Sequence, residues 1–272
     1  DHRDLHLSLR RQRQMCIRDR LKLFWTYGFR MDFFNETSLD VIFKFIMALD
    51  NKDFKKSYRD YKNTQLGKKV LERETALIDR IRTGNFEPGT FGAEFQTWLR
   101  ESDGAVDVFS VEYPGAKKSS KLGKFFKETT MQHDLIHFLN GYDTTPAGEV
   151  CVLTFDLTKE WRDSYATILF IGLLNCSYNT FRPSKYVPGI GVLKAMKHAP
   201  IITFCRLVAE SWWRGKRAPR LIDVDWEQYL NVDLQQVKKE LLLEDKPKYW
   251  SEVGPIYNKA RNHYHGNAGN GA

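Results

Sequence analysis

The chain has 272 residues, 42% hydrophobic, 14% aromatic and 28% charged, with a formal charge of +8. That is apolar material for one sizeable core, and it excludes a disordered chain. The longest apolar stretch, Tyr165 to Cys176, is interrupted by Thr167 and Asn175 and falls short of the roughly 20 residues of a spanning helix; four scattered cysteines fit a reducing compartment, not a disulfide-stapled module or a C-x-x-C metal site.

Residues 1–20 stand apart from the rest. The string RRQRQMCIRDR back-translates into the end sequence of a transposon-based sequencing adapter, and DHRDLH into the matching flow-cell adapter. They are expected to be translated adapter, disordered and outside the fold. They hold Arg3, Arg10, Arg11, Arg13, Arg18 and Arg20 against Asp1, Asp4 and Asp19, so +3 of the +8 belongs to them. What remains is mildly basic, and no nucleic-acid partner is expected. His2, His6 and Cys16 leave the argument with the adapter.

From Leu21 onward apolar residues recur three and four apart, the signature of amphipathic helices. Leu39, Ile42, Phe43, Ile46 and Leu49 form the first such set, after a start signal at Asn35 to Ser38. Further helices are predicted from Leu66 to Ile81, Phe91 to Leu99, Leu122 to Asn140, around Ile168 to Leu174, from Ile201 to Trp213 and from Leu234 to Leu243. Val150 to Phe155 is β-branched and aromatic enough for a short buried strand, but its setting favours helix. Breaks are expected at Asn85 to Gly89, Tyr113 to Lys121, Gly141 to Pro146, Arg182 to Gly191 and Gly215 to Pro219. The expectation is an all-α chain, with a single compact helical domain over 21–262 and a disordered tail over 263–272.

The chemistry concentrates between Phe126 and Glu149. His133, Asp134 and His137 form His-Asp-x-x-His, and Glu149 follows after eleven residues. On a helix the two histidines lie about 40° apart, with Asp134 at the near edge of the same face. Gly141 suits a left-handed C-terminal cap and Pro146 the first turn of the next element, so the chain can reverse and bring Glu149 back to the histidines. Leu122, Phe126, Thr129, Ile136 and Asn140 share the stripe of the histidines, and Val150, Val152 and Leu153 flank Glu149, so the two histidines and Glu149 should point inward. A buried carboxylate costs several kcal/mol unless a cation or strong donors compensate it. A divalent ion between the helix and the following element would satisfy all four; the donors suit zinc, iron, manganese or cobalt better than calcium and do not choose among them, and zinc is the first expectation. The competing reading makes the histidines hydrogen-bonded core residues. A His-Asp phosphohydrolase fits poorly, because no histidine lies between Leu21 and Gln132. Lone His198 is read as structural, and His263 and His265 as solvated.

The string HDLIHFLNGYDTTPAGE, residues 133–149, resembles the metal motif of the coenzyme Q (ubiquinone) biosynthesis protein four family. Gly141 and the pair Gly148–Glu149 match it beyond the ligands. So do GTFGAEFQTWL at 89–99 and RGKRAPRL at 214–221, followed by an amphipathic helix carrying Trp226 and Glu240; the likeness runs from about Leu66 to Leu243. The loop at 142–147 is less apolar than in the family, and the basic segment from Lys117 to Lys127 has no counterpart in it. The resemblance implies a mostly helical fold, with His133, Asp134, His137 and Glu149 holding a divalent metal and a hydrophobic path for a polyprenyl chain. It implies replacement of the ring carboxylate of a polyprenylated hydroxybenzoate by hydroxyl, an oxidative decarboxylation, and a role in organising the other quinone-biosynthesis proteins. The alternative is a non-catalytic prenyl-lipid-binding scaffold of that complex. A homodimer is compatible with either. The implied location is the inner face of the membrane in a bacterium, or the mitochondrial inner membrane in a eukaryote. Trp212 and Trp213, followed by Arg214, Lys216 and Arg217, suit an anionic membrane surface, while Ile168 to Leu174 and Ile201 to Val208 are candidates for lining a prenyl site.

Overall fold

A computed structural model of the chain describes residues 54–102, 120–180 and 200–255. The expectations for residues 1–20, the helix from Leu39 to Leu49, the turn from Arg182 to Gly191, His198 and the 263–272 tail lie outside the described residues. Eight α-helices have defined bounds: α1 (Gln65–Glu72), α2 (Leu77–Thr83), α3 (Phe91–Glu101), α4 (Lys121–Asn140), α5 (Pro146–Leu157), α6 (Asp163–Thr180), α7 (Pro200–Arg217) and α8 (Leu234–Glu240). Residues 54–61 and 248–255 are also helical, and short 3₁₀ turns occupy Leu221–Asp223 and Trp226–Tyr229. No strand occurs among the described residues; Thr90 and Asp233 form one antiparallel bridge. The fold is all-α, as the periodicity implies.

Most helix starts are written in side chains. Thr64, Thr90, Ser120, Thr145 and Asp233 each accept a backbone N–H from the first turn of the helix they precede, which satisfies a donor that the helix itself leaves open. Two helices occupy the centre. The first half of α4 packs Phe125 and Phe126 against Phe54, Tyr61 and α1, and its second half packs Met131, Leu135, Ile136 and Leu139 against α2, α3 and α5. Helix α5 is buried on both sides: Cys151, Val152 and Phe155 enter the larger core, while Val150, Leu153 and Leu157 meet α6 and α7. A helix covered on all faces shows a continuous apolar run instead of a stripe, and this is why Val150 to Phe155 also has the composition of a strand.

Three boundaries differ from the sequence pattern. The amphipathic helix expected to carry both Trp226 and Glu240 is divided, with Trp226 in a 3₁₀ turn and Glu240 at the end of α8, which starts afresh at its Asp233 cap. The helix expected from Leu66 to Ile81 is two helices, because Arg73 is extended and its guanidinium reaches Asp225 at 3.0 Å and Glu227 at 2.6 Å. Helix α4 closes this break from the other side. Lys124 donates to the carbonyls of Leu71 and Arg73 at the end of α1, and Glu128 accepts from the N–H of Leu77 at the start of α2, where Ala76 supplies no side-chain cap. A cation thus meets a helix C-terminus and an acid a helix N-terminus, each matching the dipole. The break expected at Gly215 is also absent, since α7 runs through to Arg217. A Cβ at Gly215 would lie 2.8 Å from the carbonyl oxygen of Phe155, so this glycine marks close helix packing instead of a turn.

Candidate metal centre

Helix α4 ends in a way that prepares a ligand. Gly141 is left-handed, with φ 68° and ψ 26°. Its N–H donates to the carbonyl of Phe138, and the N–H of Tyr142 donates to the carbonyl of His137 at 3.0 Å, the paired closure of a Schellman end. The His137 side chain answers: its Nδ1 lies 3.3 Å from the carbonyl oxygen of Tyr142. A carbonyl can only accept, so Nδ1 carries a proton, and in the neutral ring the lone pair is then on Nε2. His137 and Tyr142 therefore hold each other by both backbone and side chain.

The following turn brings Glu149 back. Asp143 accepts from the backbone N–H and the hydroxyl of Thr145, Thr145 caps α5 by accepting from the N–H of Gly148, and Pro146 opens the helix. Gly148 is required by proximity, because a Cβ there would overlap the carbonyl oxygen of Asp143. Glu149 then stands in the first turn of α5, facing α4. Its Oε2 is 3.1 Å from His133 Nε2 and its Oε1 3.2 Å from His137 Nε2, while the two Nε2 atoms are 3.3 Å apart.

These three groups could hold a metal ion, since their candidate donor atoms all lie within 4.8 Å of one another. One proton can satisfy only one contact in this triangle, whereas a cation inside it satisfies all three. Donors about 2.0–2.1 Å from a tetrahedral ion stand about 3.3 Å apart, so the observed edges fit a first-row divalent metal. Burial alone would raise the pKa of Glu149, but the imidazoles of His137 and His133 outweigh it and hold the carboxyl well below the usual range. The side chain of His137 is 1% exposed, while those of His133 and Glu149 are 26% and 21% exposed, so the triangle opens to solvent on their side.

Asp134, the fourth expected ligand, lies outside the triangle. It is buried, and its Oδ2 has no hydrogen-bond partner. Burial raises its pKa to about 7; the charge of Glu149 adds to this, while His133 and Arg82 oppose it. A buried carboxylate oxygen without a donor is costly, and it is the kind of atom an added cation would satisfy.

Three neighbours were not assigned to this site by the sequence, and one of them, Arg214, was expected at an anionic membrane surface but is buried. Trp98 lies alongside the His137 ring at 6.2 Å between centroids, 25° from parallel. It falls within the 89–99 string, which gave a match but no role. Arg214, the first residue of RGKRAPRL, is buried and donates through Nε to Asn140 Oδ1 at 2.9 Å, fixing the end of α4 to α7. Tyr142 contributes through its carbonyl, which no side-chain pattern reports. The apolar segments proposed to line a prenyl site, Ile168 to Leu174 and Ile201 to Val208, supply the α5–α6–α7 core, with Phe170, Leu174 and Ile202 turned outward. Trp213 is 68% exposed, while Trp212 packs on that core and lies under Lys216. No helix among the described residues is long and apolar enough to cross a membrane.

No known family profile matches the chain. Two curated relatives do, both named ubiquinone biosynthesis protein COQ4, mitochondrial. That of Ajellomyces capsulatus strain NAm1 / WU24 is 22% identical over 204 residues, which cover 71% of this chain and 61% of the relative. That of strain G186AR is 22% identical over 201 residues, covering 70% and 60%. The chain thus spans about three fifths of the length of these relatives. The crystal structure of a candidate ubiquinone biosynthesis protein from Nostoc punctiforme PCC 73102 shares the fold, with a TM-score of 0.55 at 15% identity over 83% of this chain and 97% of that one. The resemblance seen in the metal motif therefore extends well beyond it, and the chain is similar in sequence to the COQ4 ubiquinone biosynthesis proteins and in fold to the Nostoc protein.

Proposed function

We propose that this chain acts in ubiquinone biosynthesis as a divalent-metal protein that replaces the ring carboxyl of a polyprenylated hydroxybenzoate by hydroxyl: water supplies the hydroxyl oxygen, dioxygen takes up the two electrons and leaves as hydrogen peroxide, and the carboxyl is released as carbon dioxide. The observation that carries the reading is the His133–His137–Glu149 triangle, with edges of 3.1, 3.2 and 3.3 Å. His133, His137 and Glu149 would hold the ion, and Asp134, with its unpartnered oxygen, is the fourth ligand in this reading. Zinc suits two imidazoles and two carboxylates; iron, cobalt and manganese suit them also. When bound, the ion supplies a Lewis acid that stabilises negative charge on the phenolate or carboxylate of the substrate.

The protein's own groups set the conditions for this. The Tyr142 carbonyl fixes the His137 tautomer, a role outer partners commonly play at metal sites. Trp98 lies alongside the His137 ring, and the partly exposed side chains of His133 and Glu149 leave an approach from their side. The exposed Phe170, Leu174, Ile202 and Trp213 on α6 and α7 favour an accompanying role at a membrane surface, among other quinone-biosynthesis proteins. They are also the observation behind a second reading, in which the chain is a non-catalytic prenyl-lipid-binding scaffold.

Elemental analysis of the protein and of a His133→Ala/His137→Ala variant tests the site. One equivalent of metal in the wild type, lost from a folded variant, is the expected result. A folded wild type that holds no metal and takes none up from added divalent ions would overturn it. Glu149→Ala separates the two readings: an enzyme loses turnover while keeping its partners, whereas a scaffold is unaffected unless folding fails.

A further inference from the structure

Outside the ligand set, one chain of contacts converges on the turn that holds His137. Trp250 is buried in the 248–255 helix and donates through Nε1 to the carbonyl oxygen of Gly141 at 2.8 Å. Its ring packs edge-on against that of Tyr142, with centroids 5.6 Å apart and planes at 88°. Both residues of the cap are thus gripped by one indole. Gly141 forms the left-handed turn, and Tyr142 supplies the carbonyl that orients His137.

The indole is itself held in place. Glu210 of α7 accepts the backbone N–H of Tyr249 through Oε1 at 2.8 Å and that of Trp250 through Oε2 at 3.0 Å, so a single carboxylate caps the start of the 248–255 helix. Tyr249 donates its hydroxyl to Thr203 Oγ1 at 3.2 Å and lies under the Arg206 guanidinium, both on α7. Gly254, one turn on, leaves room for the indole: a Cβ there would lie 2.9 Å from the ring.

We infer that Trp250 and Glu210 are positioning residues for the metal centre, a clamp that holds the Gly141–Tyr142 turn so that the Tyr142 carbonyl keeps His137 Nε2 aimed at the ion. The inference rests on the metal reading above. Buried indole N–H groups need an acceptor somewhere, so a structural role alone would also account for the bond. The two roles differ in what else moves when the bond is lost. If the N–H serves only stability, its removal lowers the melting temperature and leaves the ligand geometry alone. If it holds the turn, metal affinity and the spectrum of the bound ion change with it.

The test is a cobalt(II) titration of the full chain, read by visible d–d absorption, with a thermal melt of each variant. Trp250→Phe keeps a ring against Tyr142 and removes the N–H. Trp226→Phe is the control, since Trp226 Nε1 likewise donates to a buried carbonyl, that of Leu221 at 3.0 Å. Outer partners of metal ligands are commonly worth about 10–100-fold in affinity, and this clamp acts one bond further out. The expected result is about tenfold weaker cobalt binding and an altered d–d band for W250F, with W226F within about twofold of wild type at a comparable melting temperature. Equal cobalt affinity and spectra for W250F and W226F would overturn the clamp while leaving the metal site standing. A folded wild type that binds no cobalt would overturn both. Should W250F not fold, Glu210→Gln carries the same test, because its amide keeps only one acceptor for the two N–H groups; an E210Q protein with wild-type affinity and spectrum overturns the proposal.

Discussion

Glu128 is 6% exposed, and burial pushes its pKa from the ordinary 4.5 to about 7, against the opposing pull of Arg73 and the Leu77 N–H. Because the folded state holds this proton more tightly than the unfolded chain, wild-type stability falls as pH rises from about 4.5 to about 7 and is level above that. At 1.36 kcal/mol per pKa unit the full loss is about 3 kcal/mol. Glu128→Gln keeps a carbonyl oxygen to accept the Leu77 N–H and cannot ionise. Relative to wild type it should be more stable by about 1 kcal/mol at pH 5, growing to about 3 kcal/mol at pH 8. Urea denaturation of both proteins at pH 5, 6, 7 and 8 measures this difference, and groups common to the two cancel from it. A stability gap that stays flat across the range, or a variant weaker than wild type at pH 8, would refute the reasoning: the first would mean that Glu128 is ionised in the fold at pH 5, the second that the attraction of the Arg73 charge outweighs its burial.

Two further outcomes follow from local geometry. Gly148→Ala forces a methyl onto the Asp143 carbonyl, so the turn that aims Glu149 must open; a loss of about 1–3 kcal/mol in stability with weaker metal uptake is expected, and unchanged uptake measured by elemental analysis would contradict it. Trp213→Ala removes an indole that is 68% exposed, so thermal stability should hold within about 0.5 kcal/mol while co-sedimentation with anionic phospholipid vesicles falls; equal sedimentation would remove Trp213 from any membrane contact.

The geometry of the segment from His133 to Glu149 was legible because its determinants are local. Two histidines one turn apart, a glycine able to turn left-handed and a proline suited to a first turn all act within a few residues, and each does so in the fold. The burial of His133 was overestimated: it continues the apolar stripe, yet its side chain is 26% exposed at the rim. Helical phase placed Asp134 near the same face but could not show that its carboxylate points beside the triangle. The break between α1 and α2 was hidden because its causes, Lys124, Glu128, Asp225 and Glu227, lie some 50 to 150 positions away in sequence. Gly215 was misread for the same reason, since nothing adjacent to it announces that α5 passes within contact distance.

Glu149 and His133 are separated by sixteen positions, whereas Asn140 and Arg214, which tie α4 to α7, are separated by 74. Ring closure grows as three halves of RT times the logarithm of loop length, so joining the ligands is cheaper by about 1.4 kcal/mol than joining those two helices. The complete triangle lies within one α-hairpin, α4 to α5, whose turn carries its own caps. A nascent chain can therefore draw these three side chains together before α7 is docked, and on the proposed metal reading an ion captured at that stage would act as a staple during folding.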